Sequence, residues 1–371
     1  MEKTAPQTLI SRRWALISTA ILLALALVSL DAYKHFHDAR RGGPDALLQY
    51  LPSDSYATFF IDFHELRGSP FAAELYRWLP KHQTDAEYAQ FVHDAGFDYE
   101  RDLQRFAMAS VGSEKDSFFV AIADGNFDRQ RIENYSARIG KREKRSGYDF
   151  FSVPLEENTR ALSFAFLDDS RIALTDSSKI AELAGPRTEN SDSREWETRF
   201  ARLAGSPIFA VIRHSSTMTN ALASQAPGGF QSPQLSTLLA QLQWITLAGK
   251  PDGSNLKVVV ECESISEQTI RQLADLLNGM LLLAQAGLNG SQIRQQLDPR
   301  VRDAYLELAR SAEVSRIHRG ETQSLRFIFD ITPKFLDVAG STPRARAPVE
   351  KQGLARPENT KPTKGSQSRP K

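Results

Sequence analysis

Seven histidines, one cysteine and two carboxylate pairs are the residues of this 371-residue chain whose chemistry could make a site. Metal ligation needs several His, Cys or acidic side chains that one helix or turn can bring together. The histidines are scattered, no HExxH occurs, and His35 and His37 stand at i, i+2 with no other ligand near them, as in an interfacial segment. Cys262 is the sole thiol, so neither an intrachain disulfide nor a cysteine-ligated zinc is expected. It lies in LKVVVECES, a strand-like stretch that buries it as a small hydrophobe. Nucleophilic hydrolysis would need a serine on a strained turn, and there is no GxSxG. Ser254-Asn255-Leu256-Lys257 has bare SxxK spacing, but it enters a strand instead of opening a helix, and neither SDN nor KTG accompanies it. No P-loop or dinucleotide fingerprint is present. Glu156-Glu157 and Asp168-Asp169 fall in predicted turns, where acids are solvated. Lys141–Arg145, KREKR, reads as an edge strand defended by charge, because a nucleic-acid face would interleave aromatics. The sequence therefore offers no catalytic, cofactor-binding or metal-binding residue, and no cofactor is expected.

The element that positions everything else is Trp14–Leu30, WALISTAILLALALVSL, seventeen residues without a charge. As a helix it spans roughly 26 Å, near the lower limit for a bilayer core of about 30 Å. Arg12-Arg13 and Asp31 bound it, and Trp14 and Tyr33 stand where interfacial aromatics stand. Three readings fit: a single-pass anchor, a cleaved signal peptide, and a twin-arginine export signal at Ser11–Leu16. The anchor is preferred, because no good small-x-small cleavage site follows Leu30 and the twin-arginine match is partial. Basic residues nearly balance across the run, but Arg12-Arg13 abut it directly, which favours a body on the extracytoplasmic, periplasmic side.

Residues 1–13 are a short basic tail and 31–46 a linker ending in Arg41-Gly42-Gly43-Pro44. The body then reads twice through one order of strand, helix, hairpin, helix and strand, at 47–188 and 194–338. Phe106 and Trp244 fall at matching places, as do helix starts at Phe127 and Ile265, and Leu162–Phe166 echoes Leu325–Phe329. The expected fold class is α+β: the transmembrane helix, then two βαββαβ, ferredoxin-like halves. Ser264-Ile265-Ser266-Glu267 predicts a capping box for a long helix to about Ala286, too interrupted by Asn278 and Gln285 to be a second span. Asn126 and Asp176 are the expected caps of two further helices, the second stopped by Gly185-Pro186.

Overall charge is +1, unevenly spread. Residues 339–371 hold eight Lys/Arg against Glu350 and Glu358, a net of +6, in a Pro/Ser/Thr-rich composition that predicts a disordered basic tail. The opening of the body, Leu51–Pro70 (LPSDSYATFFIDFHELRGSP), resembles the starts of uncharacterised bacterial single-pass envelope proteins, an N-terminal anchor followed by a Leu-Pro-x-Asp strand entry. That resemblance implies an envelope location and carries no activity or site residue with it. The reading is a membrane-anchored envelope protein that binds or scaffolds, with the bilayer as partner through Trp14–Leu30. An envelope protein or an anionic polymer is a further partner, and specific nucleic-acid binding is not expected. The alternative is an anchored hydrolase whose site is assembled from residues distant in sequence.

Overall fold

A computed structural model describes residues 45–78, 86–112, 117–145, 147–154, 161–177, 191–214, 233–319 and 322–341. The expected anchor, most of the linker, the Asp176-capped helix, Glu156-Glu157 and the tail beyond Ser341 lie outside them. The first half carries α1 (Asp45–Leu48), β1 (Ala57–Asp62), α2 (Phe63–Arg67), α3 (Pro70–Trp78), α4 (Ala86–Ala95), α5 (Tyr99–Asp102), β2 (Leu103–Val111) and β3 (Phe118–Gly125). It continues with α6 (Arg129–Ile139), β4 (Lys141–Arg145), β5 (Tyr148–Pro154), β6 (Ala161–Phe166) and β7 (Arg171–Thr175). The second half carries α7 (Ser191–Leu203), β8 (Ile208–Arg213), α8 (Pro233–Leu239), β9 (Trp244–Asp252) and β10 (Asn255–Ser264). It closes with α9 (Glu267–Asn289), α10 (Ser291–Gln296), α11 (Pro299–Ser311), β11 (Glu313–Arg319), β12 (Thr322–Ile331) and α12 (Pro333–Ser341).

Among the described residues the strands form one twelve-stranded sheet, ordered β11-β12-β10-β9-β8-β1-β2-β3-β7-β6-β5-β4. Every neighbouring pair is antiparallel. The halves repeat one order outward from a central seam, β1-β2-β3-β7-β6 against β8-β9-β10-β12-β11, and β5 and β4 extend the first. At the seam Ala57 pairs with Ile212 and Ile61 with Ile208, the reciprocal pattern of a local two-fold axis. The element order expected from sequence is therefore present, but the ferredoxin-like arrangement is not. In each half the first three strands lie side by side in chain order and the closing hairpin follows them, whereas the split βαβ plan inserts a strand between those its crossovers join.

Register corrects the sequence matches. Ile61–Phe106–Ala123 in the first half occupies the positions of Ile212–Ile245–Cys262 in the second. Trp244 thus matches Arg105, one residue from the expected Phe106. Leu162–Phe166 lies in β6, whose counterpart is β11, whereas Leu325–Phe329 lies in β12, the counterpart of β7. Period-2 alternation cannot separate neighbouring strands of like composition, which is why the echo paired the wrong two.

Caps also shift. Asp128, not Asn126, accepts from Arg131 N at the start of α6, and Ser266, not Ser264, accepts from Thr269 N at the start of α9. Ser264 instead donates to Gln241 O, and Asp176 accepts from Phe119 N, holding the entry of β3. The helix starts still stand as expected relative to each other.

Both faces of the sheet are covered, unequally. On one, α2, α4 and α6 pack on Phe106, Phe151 and Phe164, and α3, α8, α9 and α12 on Val258, Cys262 and Leu325. On the other, α1 and α7 cover the centre, where Leu47, Leu51, Trp196 and Phe200 meet Phe60, Phe209 and Ile122. Each half thus begins with a helix on this second face. β4 is an edge strand with all five residues exposed, as its charge predicted.

Candidate functional site

The second face carries an ionic network on the β9-β10-β12-β11 side of α7. In β10, Glu261 and Glu263 alternate with the apolar residues of the helical face, so both carboxylates point to the second face and are buried there. One turn of α7 presents Arg199 and Arg202 above them. Arg202 Nη1 donates to Glu261 Oε1 at 3.1 Å, and Arg199 and Arg202 both donate to Glu263. From the sheet itself, Arg319 Nη1 donates to Glu261 Oε1 at 2.7 Å and Arg326 Nη2 to Glu261 Oε2 at 3.2 Å. The guanidinium of Arg199 lies 3.9 Å from the ring centre of Trp244, and Arg213 lies over the same ring at 4.8 Å. Burial lowers the pKa of Arg199, and Glu263 opposes that; the group stays cationic at any physiological pH.

Four guanidiniums thus meet two carboxylates, a local excess of positive charge. The matching place in the first half is neutral. There Arg105 Nη2 meets Asp124 Oδ2 at 2.6 Å, with Arg105 in the position of Trp244 and Asp124 in that of Glu263. The second half has an indole where the first has the strand arginine, and its arginines come from α7, β11 and β12. Chemically, this site can hold oxyanions through forked N–H donors.

A second feature is the far half of α9. Its first turns bury Ile270, Leu273 and Ala274 against β10 and β12, but Leu282 is 67% and Leu283 74% exposed. From Leu276 to Ile293 no residue is charged. Gln285 Nε2 donates to Ala309 O at 2.7 Å, fastening one side of this segment to α11 while the leucines face outward. No helix among the described residues is long and apolar enough to cross a membrane.

Among the described residues, those singled out in the sequence are not brought together. Asp168 accepts from Ser170 N at 2.8 Å and pairs with Arg171, and Asp169 is fully exposed, so this pair shapes the β6–β7 turn. Lys257 of the SxxK spacing pairs with Asp252 across the hairpin at 3.4 Å. Cys262 is buried, and its thiol is pushed up to about 12 by burial first and then by Glu261 and Glu263. Among the described residues there is no group of three or more metal-ligating side chains. The ionic network escaped the sequence reading, although acids at i, i+2 in the apolar run VVVECES were a signal for it.

No protein-family model matches the chain, and neither does any curated protein. Among solved structures, crystal forms III, IV and I of TP0453 are similar, at 11%, 11% and 10% identity and TM-scores of 0.41, 0.42 and 0.39. They cover 80% of this chain and 98%, 96% and 96% of their own. Likeness of this strength specifies no function.

Proposed function

We propose that this protein is a membrane-anchored binding or scaffolding protein of the bacterial envelope, held by Trp14–Leu30, with its body lying against the bilayer surface on the extracytoplasmic side. The observation that carries the reading is the outward, uncharged half of α9. Leu282 and Leu283 stand in solvent within eighteen residues without a charge, Leu276–Ile293, a run that continues past the end of α9. A helix fixed on one side by the fold and apolar on the other gains by sinking that side into the headgroup boundary, at about 25 cal/mol per Å² of apolar surface removed from water. The anchor supplies the bilayer at high effective concentration, and the net +6 of 339–371 adds attraction for anionic headgroups or polymers that fades as salt rises.

The test uses the full chain in lipid vesicles with Leu283→Cys carrying a polarity-sensitive fluorophore. The buried Cys262 stays unlabelled under native conditions. Emission should shift to the blue and be quenched by lipid-borne quenchers. A spectrum unchanged from that of the protein in neutral detergent-free polymer would defeat the proposal.

A further inference from the structure

We propose that the arginine-rich network between α7 and the β10-β12-β11 strands is a binding site for a phosphate group. Arg199, Arg202, Arg319 and Arg326 converge on Glu261 and Glu263, leaving a net +2. Each guanidinium offers about five N–H donors, more than two carboxylates can accept. The surplus is visible: Arg199 Nε, Arg326 Nε and the hydroxyl of Ser324 are buried without an acceptor in the protein. Ser324 is fully buried and pairs across the sheet with Glu263, two residues from Arg326 on the same face. These donors therefore belong to one patch. Arg319 and Arg326 are its solvent-facing members, with side chains 32% and 34% exposed.

The chemistry selects the ligand. A phosphomonoester carries about −1.5 to −2 at neutral pH and three acceptor oxygens; it balances the excess charge and matches forked guanidinium donors. A lipid headgroup and a free phosphate ester share that chemistry. The inference is independent of whether α9 touches the bilayer.

The experiment follows thermal unfolding of the full chain in neutral detergent, with Trp244 fluorescence as a second readout. Inorganic phosphate at roughly ten times its dissociation constant should raise Tm by about 2 °C over potassium chloride of equal ionic strength. Arg319→Gln/Arg326→Gln should abolish the rise. Glu261→Gln, which removes one negative charge, should tighten phosphate about tenfold. No rise beyond chloride, or an equal rise in the double variant, overturns the proposal. If the double variant does not fold, Glu261→Gln decides: tighter binding supports the site, and unchanged or weaker binding overturns it. Glycerol phosphate and micellar phosphatidic acid then identify the source. Response to both marks a free phosphate ester, and response to phosphatidic acid beyond inorganic phosphate marks a headgroup.

Discussion

Single side chains in this protein are governed by what lies on the two faces of one strand. Cys262 and its neighbours Glu261 and Glu263 show this, the thiol facing the helical layer and the acids the opposite one. With its pKa raised to about 12, the thiol stays neutral in the folded chain while an unfolded cysteine ionises near about 8.5. Its contribution to stability is full below about 8.5 and is lost as pH rises through about 12. Cys262 should therefore resist alkylation at pH 8 until denaturant is added; stoichiometric labelling within minutes in native buffer would contradict this. Arg105 and Asp124 form the other decisive pair, buried and bonded at 2.6 and 3.0 Å. Arg105→Ala leaves a buried carboxylate without this partner and should cost about 3–5 kcal/mol in denaturant unfolding. A loss below about 1 kcal/mol would show that solvent reaches Asp124.

At the scale of elements, α9 does two things along one helix. Its first turns are core and its last turns are surface, so Leu282→Asp/Leu283→Asp should change unfolding free energy by no more than about 0.5 kcal/mol. The same double substitution should release the α9 segment from the bilayer, read as loss of quenching from a fluorophore at residue 286 in Ala286→Cys. A large loss of stability would instead place those leucines in a packed interface. The strands were legible from sequence because apolar residues alternate with period two and Pro251-Asp252-Gly253 punctuates them, and Gly96 and Gly140 stop the helices between. Caps were less legible. Several Ser and Asp residues compete at each helix start, and which one caps depends on where the others find partners, as Ser264 does with Gln241 O. The ionic network was hidden for a different reason: its arginines come from 58 to 65 residues away from Glu261 and Glu263. No local pattern records such a meeting.

For the whole molecule, the seam between β1 and β8 makes one sheet of two halves. Phe60 and Phe209 stack across it with ring centres 4.9 Å apart, and the cluster around them draws on both halves. Unfolding should therefore follow one cooperative transition in calorimetry, with the two halves melting together. Two resolved transitions would mean that the seam carries little energy. The strand order was only partly legible for a related reason. Sequence shows which stretches are strands and how they recur, whereas neighbour choice in an antiparallel sheet is settled by hairpin closure and by the helices lying over it. The seam also bears on how such a chain could arise. An antiparallel seam such as that from Ala57–Ile212 to Ile61–Ile208 is a contact along which two copies of a single unit could pair. Fusing two such genes would preserve the contact while freeing each copy to diverge. The arginine-rich network of the second half, set against a neutral ion pair in the first, is the kind of asymmetry that a homodimer cannot hold and a fused one can.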